Sequence, residues 1–208
     1  MLRVVVMVSG NGSNLQALID NVHRNAKVDA EIVRVVCSKD GAPALVRAEQ
    51  AGIPTAVVPL ADPSQREMRD AMLADVVSSA EPDLVVMAGW MSIVTGVFLD
   101  RFPGRVINLH PSLLPAFPGM NAIGEALEWG VRMTGVTVHI AEEAVDGGPP
   151  ILQEPVPVRD DDTLQSLAAR VHAVEHRTLT RCVVLFAEGK VRRDPARPRR
   201  MIIDDGGS

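Results

Sequence analysis

The apolar positions of the chain form short continuous runs that alternate with longer amphipathic stretches. The runs are rich in Val and Ile with little polar alternation, which is typical of parallel strands covered on both faces. They are Arg3–Val8, Glu31–Cys37, Thr55–Val58, Leu84–Ala88 and Val106–Leu109.

Three helices are predicted between these runs from apolar residues that recur at helical spacing. The residues that mark them are Leu15, Leu18, Ile19 and Val22, then Ala44, Leu45, Ala48 and Ala51, and finally Met68, Met72, Val76 and Val77. The resulting order βαβαβαβ predicts an α/β fold with a doubly wound, mostly parallel sheet and a Rossmann-like first half.

The pattern changes in the second half of the chain. Residues Val136–Ile140 alternate between apolar and polar types, as in a half-buried strand. Two prolines interrupt Ile151–Val158, which favours an edge or terminal strand. A long helix is predicted from about Leu164 to about Glu188, capped by the preceding Asp160–Thr163 and ended by Gly189. We therefore expect a C-terminal strand pair and a long helix.

Length and composition predict one globular domain. The chain has 208 residues, of which 47% are hydrophobic and 23% charged, and it shows no internal repeat or linker. We expect a single domain over residues 1–191. Residues 192–208 combine five arginines with prolines and a polar end, which is typical of a flexible tail.

Charge and hydropathy narrow the choice of partners. The net charge of −5 provides no broad basic surface for nucleic acid. No run reaches the roughly 18 apolar residues of a membrane span, and Val4–Val8 is too short for a secretory signal. Cys37 and Cys182 lie in apolar runs without metal-ligand spacing, so we expect both to be buried. These features predict a cytoplasmic protein without a metal site or a nucleic-acid partner, and they leave open whether it is a monomer or homodimer.

The loop after the first strand, Ser9–Asn14, has the composition of an anion site. Its two glycines allow a tight turn, and the free N–H groups at a helix start attract negative charge. It lacks the Gly-Lys-Ser/Thr ending of a P-loop and the spacing of a dinucleotide fingerprint. A single phosphate monoester is therefore the favoured ligand, and a plain strand–helix turn is the alternative.

A second cluster of polar residues follows the Val106-Ile107 strand. Because strand residues two apart share a side, Asn108 and His110 are predicted to face one cleft at the carboxyl edge of the sheet. Asp146 lies in a predicted tight loop with two glycines and a proline. Taken singly, the three residues also fit a strand-ending amide, a core histidine and a turn-capping aspartate. Taken together, they favour a site.

The chemistry that fits this trio is acyl transfer without a covalent enzyme intermediate. The sequence has no serine or cysteine in a nucleophile elbow. An amide such as Asn108 can donate to an oxyanion, and a histidinium can share the negative charge. A carboxylate such as Asp146 can orient the imidazole and direct removal of a proton from an attacking amine.

These motifs resemble the folate-dependent formyltransferases, and within them the glycinamide ribonucleotide transformylase (phosphoribosylglycinamide formyltransferase) family. The resemblance covers residue 2 to about residue 191. It is carried by five segments, 9–14, 110–115, 134–139, 146–149 and 168–176. It implies a formyltransferase fold. It also implies transfer of the formyl group of 10-formyltetrahydrofolate, the co-substrate, to the amino group of glycinamide ribonucleotide in purine biosynthesis, through a tetrahedral intermediate.

The resemblance also implies roles for individual residues. The catalytic residues would be Asn108, His110 and Asp146. The ribonucleotide would be bound by Asn11, Gly12, Ser13, Asn14, Pro111, His172 and Glu175. The folate would be bound by Met91, Ser92, Ile93, Val94, Asn108, Glu142, Glu143, Ala144, Val145 and Asp146. His139 would lie beside the site without acting on the substrate.

Three positions depart from the family pattern. Ser92 stands where Arg is frequent, Asn121 where His is frequent, and His172 where Gln is common. The first two departures remove a charged folate contact and a phosphate-side contact, whereas His172 keeps a donor.

Three alternatives share parts of this pattern. A formyl-folate hydrolase would use the same trio with water as the acceptor, but we expect it to carry an extra N-terminal domain. Formyltransferases acting on methionyl-tRNA or a nucleotide sugar are expected to need a further C-terminal domain. A catalytically silent nucleotide-binding relative would bind ligands without turnover, and Ser92 and Asn121 give it slight support.

Overall fold

The computed structural model describes residues 1–59 and 62–204. Its seven main strands are β1 Leu2–Val8, β2 Ala30–Cys37, β3 Thr55–Val57, β4 Leu84–Met87, β5 Val106–His110, β6 Met133–Ile140 and β7 Pro150–Pro157. They form one sheet in the order β3-β2-β1-β4-β5-β6-β7. The chain divides into two compact units after Ile107, inside β5. No change of composition marks this boundary because it falls within a strand.

The first unit has the predicted Rossmann-like half. Strand β1 pairs in parallel with β2 and β4, and β2 pairs in parallel with β3. The helices are α1 Ser13–Leu18, which continues as a π-helical turn over Ile19–His23, α2 Pro43–Gln50, α3 Arg66–Ser78 and the short α4 Gly96–Leu99. Residues 4–8 are fully buried, as expected for a central parallel strand. The predicted strands are therefore present, with ends that differ by a single residue.

The buried face of α3 differs from the prediction. The helix is present, but Met68 and Met72 are 57% and 58% exposed. The side that is buried instead carries Arg69, Asp70 and Leu73. Of the predicted marker residues, Val77 is buried as expected, but the two methionines are not. In the structure, Arg69 and Asp70 form an ion pair, so both can be buried.

The second unit contains the predicted strand pair and long helix. Strand β6 pairs antiparallel with β7, which lies at the end of the strand order. Helix α5 spans Ala122–Glu128, and α6 spans Leu164–Ala187. Thr163 and Ser166 form a reciprocal capping box at the start of α6, and Gly189 follows its end with a φ of +67°. The predicted capping of this helix is confirmed.

The end of the chain is more regular than predicted. We expected a flexible tail over residues 192–208, but β8 Val191–Arg193 and β9 Met201–Ile203 pair as an antiparallel hairpin. An ion pair between Arg192 and Asp204 joins its two ends. The prediction followed the prolines and arginines and overlooked the apolar run Met201–Ile203, which supplies the second strand. Residues 205–208 lie outside the described part of the chain.

Two smaller expectations can also be compared with the structure. Cys37 and Cys182 are both buried free thiols, as predicted. Among the described residues, no helix combines the length and apolar character needed to cross a membrane.

Candidate active site

The second unit brings the predicted trio together around one carboxylate. His110 Nδ1 lies 3.4 Å from Asp146 Oδ2, and Asn108 Nδ2 donates to Asp146 Oδ1 at 3.4 Å. His139 Nε2 is 3.2 Å from Asn108 Nδ2 and 3.8 Å from Asp146 Oδ1. We call these four residues the Asp146 cluster. Residues 108 and 110 reach the same carboxylate because they lie two apart on β5 and share a side of the strand.

The loop that presents Asp146 has an unusual backbone. Asp146 has a φ of +53°, in the left-handed region. Such a conformation costs on the order of 1–3 kcal/mol unless surrounding contacts support it, although Asp tolerates it better than most residues. The backbone amide of Gly119 supplies one contact by donating to Asp146 Oδ2 at 2.8 Å. Gly148 follows closely, and a Cβ there would lie 1.8 Å from the carbonyl oxygen of Ile140. The turn therefore depends on a glycine next to the loop that presents Asp146.

His110 is buried between two oxygen acceptors. Its Nδ1 faces Asp146, and its Nε2 lies 2.8 Å from the carbonyl oxygen of Phe117. A neutral imidazole has one N–H and can donate to only one of them, whereas the imidazolium donates to both. The surroundings of His110 therefore suit the protonated ring.

His139 orients the amide of Asn108. Its Nδ1 lies 2.9 Å from the carbonyl oxygen of Ile140, so this nitrogen carries the proton. In the neutral ring, Nε2 then accepts from Asn108 Nδ2. When the ring is protonated, Nε2 instead presents an N–H toward Asp146. His139 is 2% exposed and touches Asn108 directly, so it belongs to the cluster more closely than the sequence suggested.

The loop after β5 is held by residues that sequence reasoning missed. The hydroxyl of Thr137 donates to the Ser112 carbonyl at 2.7 Å and accepts from the Leu114 amide at 3.1 Å. The side-chain amide of Gln153 donates to the carbonyl of Leu114 at 2.9 Å. These bonds fix the loop that returns Phe117 to His110 and Gly119 to Asp146. The only signal in the sequence was that Thr137 lies two residues from His139 and therefore on the same side of the strand.

Opposing effects set the ionisation of Asp146. Burial acts to raise the pKa of its carboxyl group. The neighbouring His139, the Gly119 amide and the positive charge of a protonated His110 act in the other direction and prevail, so the pKa of Asp146 lies below its ordinary value of 3.8. The carboxylate is therefore ionised at neutral pH and available as a proton acceptor.

The loop Ser9–Asn14 lies in the first unit and is braced by α2. Gly12 has a φ of +77°, and a Cβ there would lie 2.7 Å from the Cβ of Ala44. Arg47 donates to the backbone carbonyl of Asn11 at 2.9 Å and to its side-chain oxygen at 3.0 Å. Sequence reasoning missed Arg47, which supplies positive charge directly at the predicted anion loop.

The predicted folate segment Met91–Val94 is anchored to the same unit. The backbone amide of Met91 donates to the hydroxyl of the buried Ser9 at 2.8 Å, which ties this segment to the end of β1. Arg69 donates to the Ile93 carbonyl at 2.9 Å, while Asp70 accepts from the amide of Thr95 at 2.6 Å. The side chains of Met91 and Ile93 remain 57% and 48% exposed. Exposed apolar side chains on a fixed backbone are suited to contact an aromatic ligand.

The remaining predicted contacts lie on the second unit. On α6, His172 Nδ1 is 2.8 Å from Oε2 of Glu175, which is 5% exposed. The hydrogen bond that His172 donates to Glu175 raises the pKa of His172 against the opposing effect of burial. Pro111 follows His110 and is half-buried. The exposed segment that precedes Asp146 contains Glu142, Glu143, Ala144 and Val145. Asn121 is exposed at the start of α5.

Within residues 1–59 and 62–204, no cluster of three His, Cys, Asp or Glu side chains is arranged to hold a metal ion.

Comparisons with known proteins match this architecture. The formyl transferase family model matches residues 2–183. The phosphoribosylglycinamide formyltransferase of Escherichia coli (strain K12) is 40% identical over 92% of this chain and 90% of its own length. The crystal structure of glycinamide ribonucleotide transformylase 1 from Symbiobacterium toebii superposes with a TM-score of 0.93 at 41% identity, covering 99% of this chain and 95% of that chain.

A longer relative contains a comparable segment. The trifunctional purine biosynthetic protein adenosine-3 of Drosophila melanogaster is 42% identical over 90% of this chain, but this chain spans only 14% of that protein's length. Since the family model matches most of the chain and single-domain relatives match over nearly their whole length, the chain belongs to the formyl transferase family.

The depressed pKa gives a direct prediction for Asp146. Its carboxyl group should titrate with a midpoint below 3.8, measured by carbon NMR of the labelled side chain. Because the folded-state pKa is lowered, the ionised carboxylate should stabilise the fold above pH 3.8, and this contribution should be lost as the pH falls through the lower midpoint. A midpoint above 3.8 would mean that burial dominates and that the histidine and amide contacts are weak.

Proposed function

We propose that this protein transfers the formyl group of 10-formyltetrahydrofolate to the amino group of glycinamide ribonucleotide, as in purine biosynthesis. The observation that carries the proposal is the Asp146 cluster, in which an amide donor, an imidazole and an ionised carboxylate meet. The names of the relatives that match over most of their length support the choice of substrates. The cytoplasm is the compartment that suits this small-molecule chemistry.

In the proposed reaction, the amine of the ribonucleotide attacks the formyl carbon and forms a tetrahedral intermediate. The amide of Asn108 donates to its oxyanion, and the positive charge of the nearby His110 imidazolium stabilises it; loss of one oxyanion donor typically costs about 2.7–4 kcal/mol of barrier. The bond from Asn108 to Asp146 is long, at 3.4 Å, so this N–H can be redirected to the oxyanion at small cost.

Asp146 acts as the proton acceptor. The attacking nitrogen gains positive charge as its bond to carbon forms, and Asp146 takes its proton directly or through water. The bond from the formyl carbon to N10 of the folate then breaks, and N10 receives the proton that Asp146 accepted, directly or through water. The products are the formylated ribonucleotide and tetrahydrofolate, so atoms and charge balance without a metal or an oxidant.

The acceptor is proposed to bind through its phosphate and ribose. The loop Asn11–Asn14 would take the phosphate, with N–H donors from Gly12 and Ser13 and the charge of Arg47 close by. Glu175, a buried carboxylate, would accept from the ribose hydroxyls, with His172 and Pro111 alongside. Arg47 strengthens this assignment, because a plain strand–helix turn has no need of a guanidinium on its backbone carbonyl.

The folate is proposed to bind against the segments Met91–Val94 and Glu142–Asp146. Ser92 cannot supply the charge that Arg often supplies at that position in the family. Recognition there would instead rest on the exposed side chains of Met91 and Ile93 and on backbone groups.

Hydrolysis of the same formyl-folate is the second candidate. It would need the Asp146 cluster but would leave the loop Asn11–Asn14 and Glu175 without a substrate. The two readings are separated by one assay of purified protein with 10-formyltetrahydrofolate, with and without glycinamide ribonucleotide. We expect release of tetrahydrofolate only when the ribonucleotide is present. Release without it would favour the hydrolase, and binding of both ligands without turnover would favour a silent relative.

The phosphate assignment predicts a selective binding defect. Replacement of Ser13→Ala together with Asn14→Ala removes two side-chain donors to a charged group, each worth about 1.5–3 kcal/mol, so the KM for the ribonucleotide should rise about a hundredfold or more. The KM for the folate should change much less. The control is Asn21→Ala, on the helical turn that continues α1, where the exposed side chain bonds only its own helix at Ala17. A larger effect on the folate KM would move the phosphate site elsewhere.

A further inference from the structure

The basic end of the chain contacts the loop that carries Asp146. Arg199 Nη2 donates to the backbone carbonyl of Gly147 at 2.8 Å, and Arg193 Nη2 lies 3.2 Å from Glu142 Oε1. Glu142 and Gly147 lie at the two ends of one loop, with Asp146 between them. Two arginines that looked like part of a solvated tail in the sequence therefore hold both ends of the catalytic loop.

The position of Arg199 is set by the fold of the C-terminal hairpin. The connection between β8 and β9 is closed by backbone hydrogen bonds from Asp194 to Arg200 at 2.9 Å and from Arg200 to Arg197 at 2.8 Å. At the base of the hairpin, the amide of Asp204 donates to the Lys190 carbonyl at 2.9 Å. Arg199 is thus presented by a structured turn, so its contact with Gly147 restrains the catalytic loop.

The backbone conformation of the loop 142–147 requires supporting contacts of this kind. The left-handed backbone of Asp146 persists only when neighbouring contacts support it. Inside the loop, the amide of Gly147 donates to the Ala144 carbonyl at 2.9 Å. The carbonyl of the same residue, Gly147, accepts the hydrogen bond from Arg199. A charged donor at that carbonyl therefore stabilises the turn immediately after Asp146.

We propose that the C-terminal hairpin is a positioning element for the loop 142–147, with Arg199 as the main positioning residue and the Arg193–Glu142 pair as a second tether. This inference rests on the proposed function, in which that loop contacts the folate and supplies Asp146. The hairpin lies beyond residues 2–183, the part that the family model matches, so it adds an element outside the matched region to the catalytic machinery.

The proposal predicts a selective effect of Arg199→Met, which keeps an unbranched apolar chain and removes the donors. Hydrogen exchange at the Gly147 amide should become several-fold faster. The KM for 10-formyltetrahydrofolate should rise about three- to tenfold, while the KM for glycinamide ribonucleotide stays within twofold. The matched control is Arg197→Met, on the same turn, where the side chain is 69% exposed and faces only Asp194. This control should leave exchange and both KM values close to those of the unmodified protein.

A charge reversal tests the second tether. Arg193→Glu places a negative charge against Glu142 and should also speed exchange in the loop. Combining it with Glu142→Arg should restore slow exchange, a rescue that general destabilisation would not give.

The two proposals fail in different ways. Absence of transfer by the unmodified protein would reject the proposed function, and the exchange measurement would still test the hairpin. Transfer by the unmodified protein with identical exchange in Arg199→Met and Arg197→Met would reject the hairpin proposal alone. An equal rise of both KM values in Arg199→Met would also reject it, because it would indicate a general loss of structure.

Discussion

The candidate site depends on one shared acceptor, the carboxylate of Asp146. One oxygen faces His110 and accepts from the Gly119 amide, and the other accepts from Asn108. His139, the Gly119 amide and the charge of His110 keep the carboxylate ionised although it is largely buried, and the carboxylate in turn orients the imidazole and the amide. Removing this group would take an acceptor from three donors inside the site, which is more costly than losing a hydrogen bond at the surface.

The sequence revealed much of the framework and the identity of the reactive groups. Continuous Val-rich runs predicted the parallel strands, because strands covered on both faces have no polar alternation. The spacing of Asn108 and His110 predicted that they share a side of β5. The glycines and proline around Asp146 predicted a tight loop that presents this carboxylate, and the resemblance to known formyltransferases then implied its role. Each of these inferences depended on local pattern or on a motif.

The features that the sequence did not reveal are those that depend on contacts between distant residues. Helix α3 buries Arg69 and Asp70 because each neutralises the other, and a hydropathy pattern cannot register such a pair. Arg47 acts on the loop Ser9–Asn14 from a different helix. The support that Thr137 and Gln153 give to the loop after β5 is carried by single hydroxyl and amide groups, which have no signature in a linear sequence.

The central claim is that His110 and Asp146 act as one unit, and a double-mutant cycle tests it most directly. The measurement is kcat/KM for formyl transfer in His110→Gln, Asp146→Asn and the double variant, with the folded state of each checked by circular dichroism. Groups that work as a unit give non-additive losses. We predict that kcat/KM of the double variant is no more than about tenfold below that of the less active single variant. Losses that multiply would show that the two side chains act independently, and would contradict this account of the site.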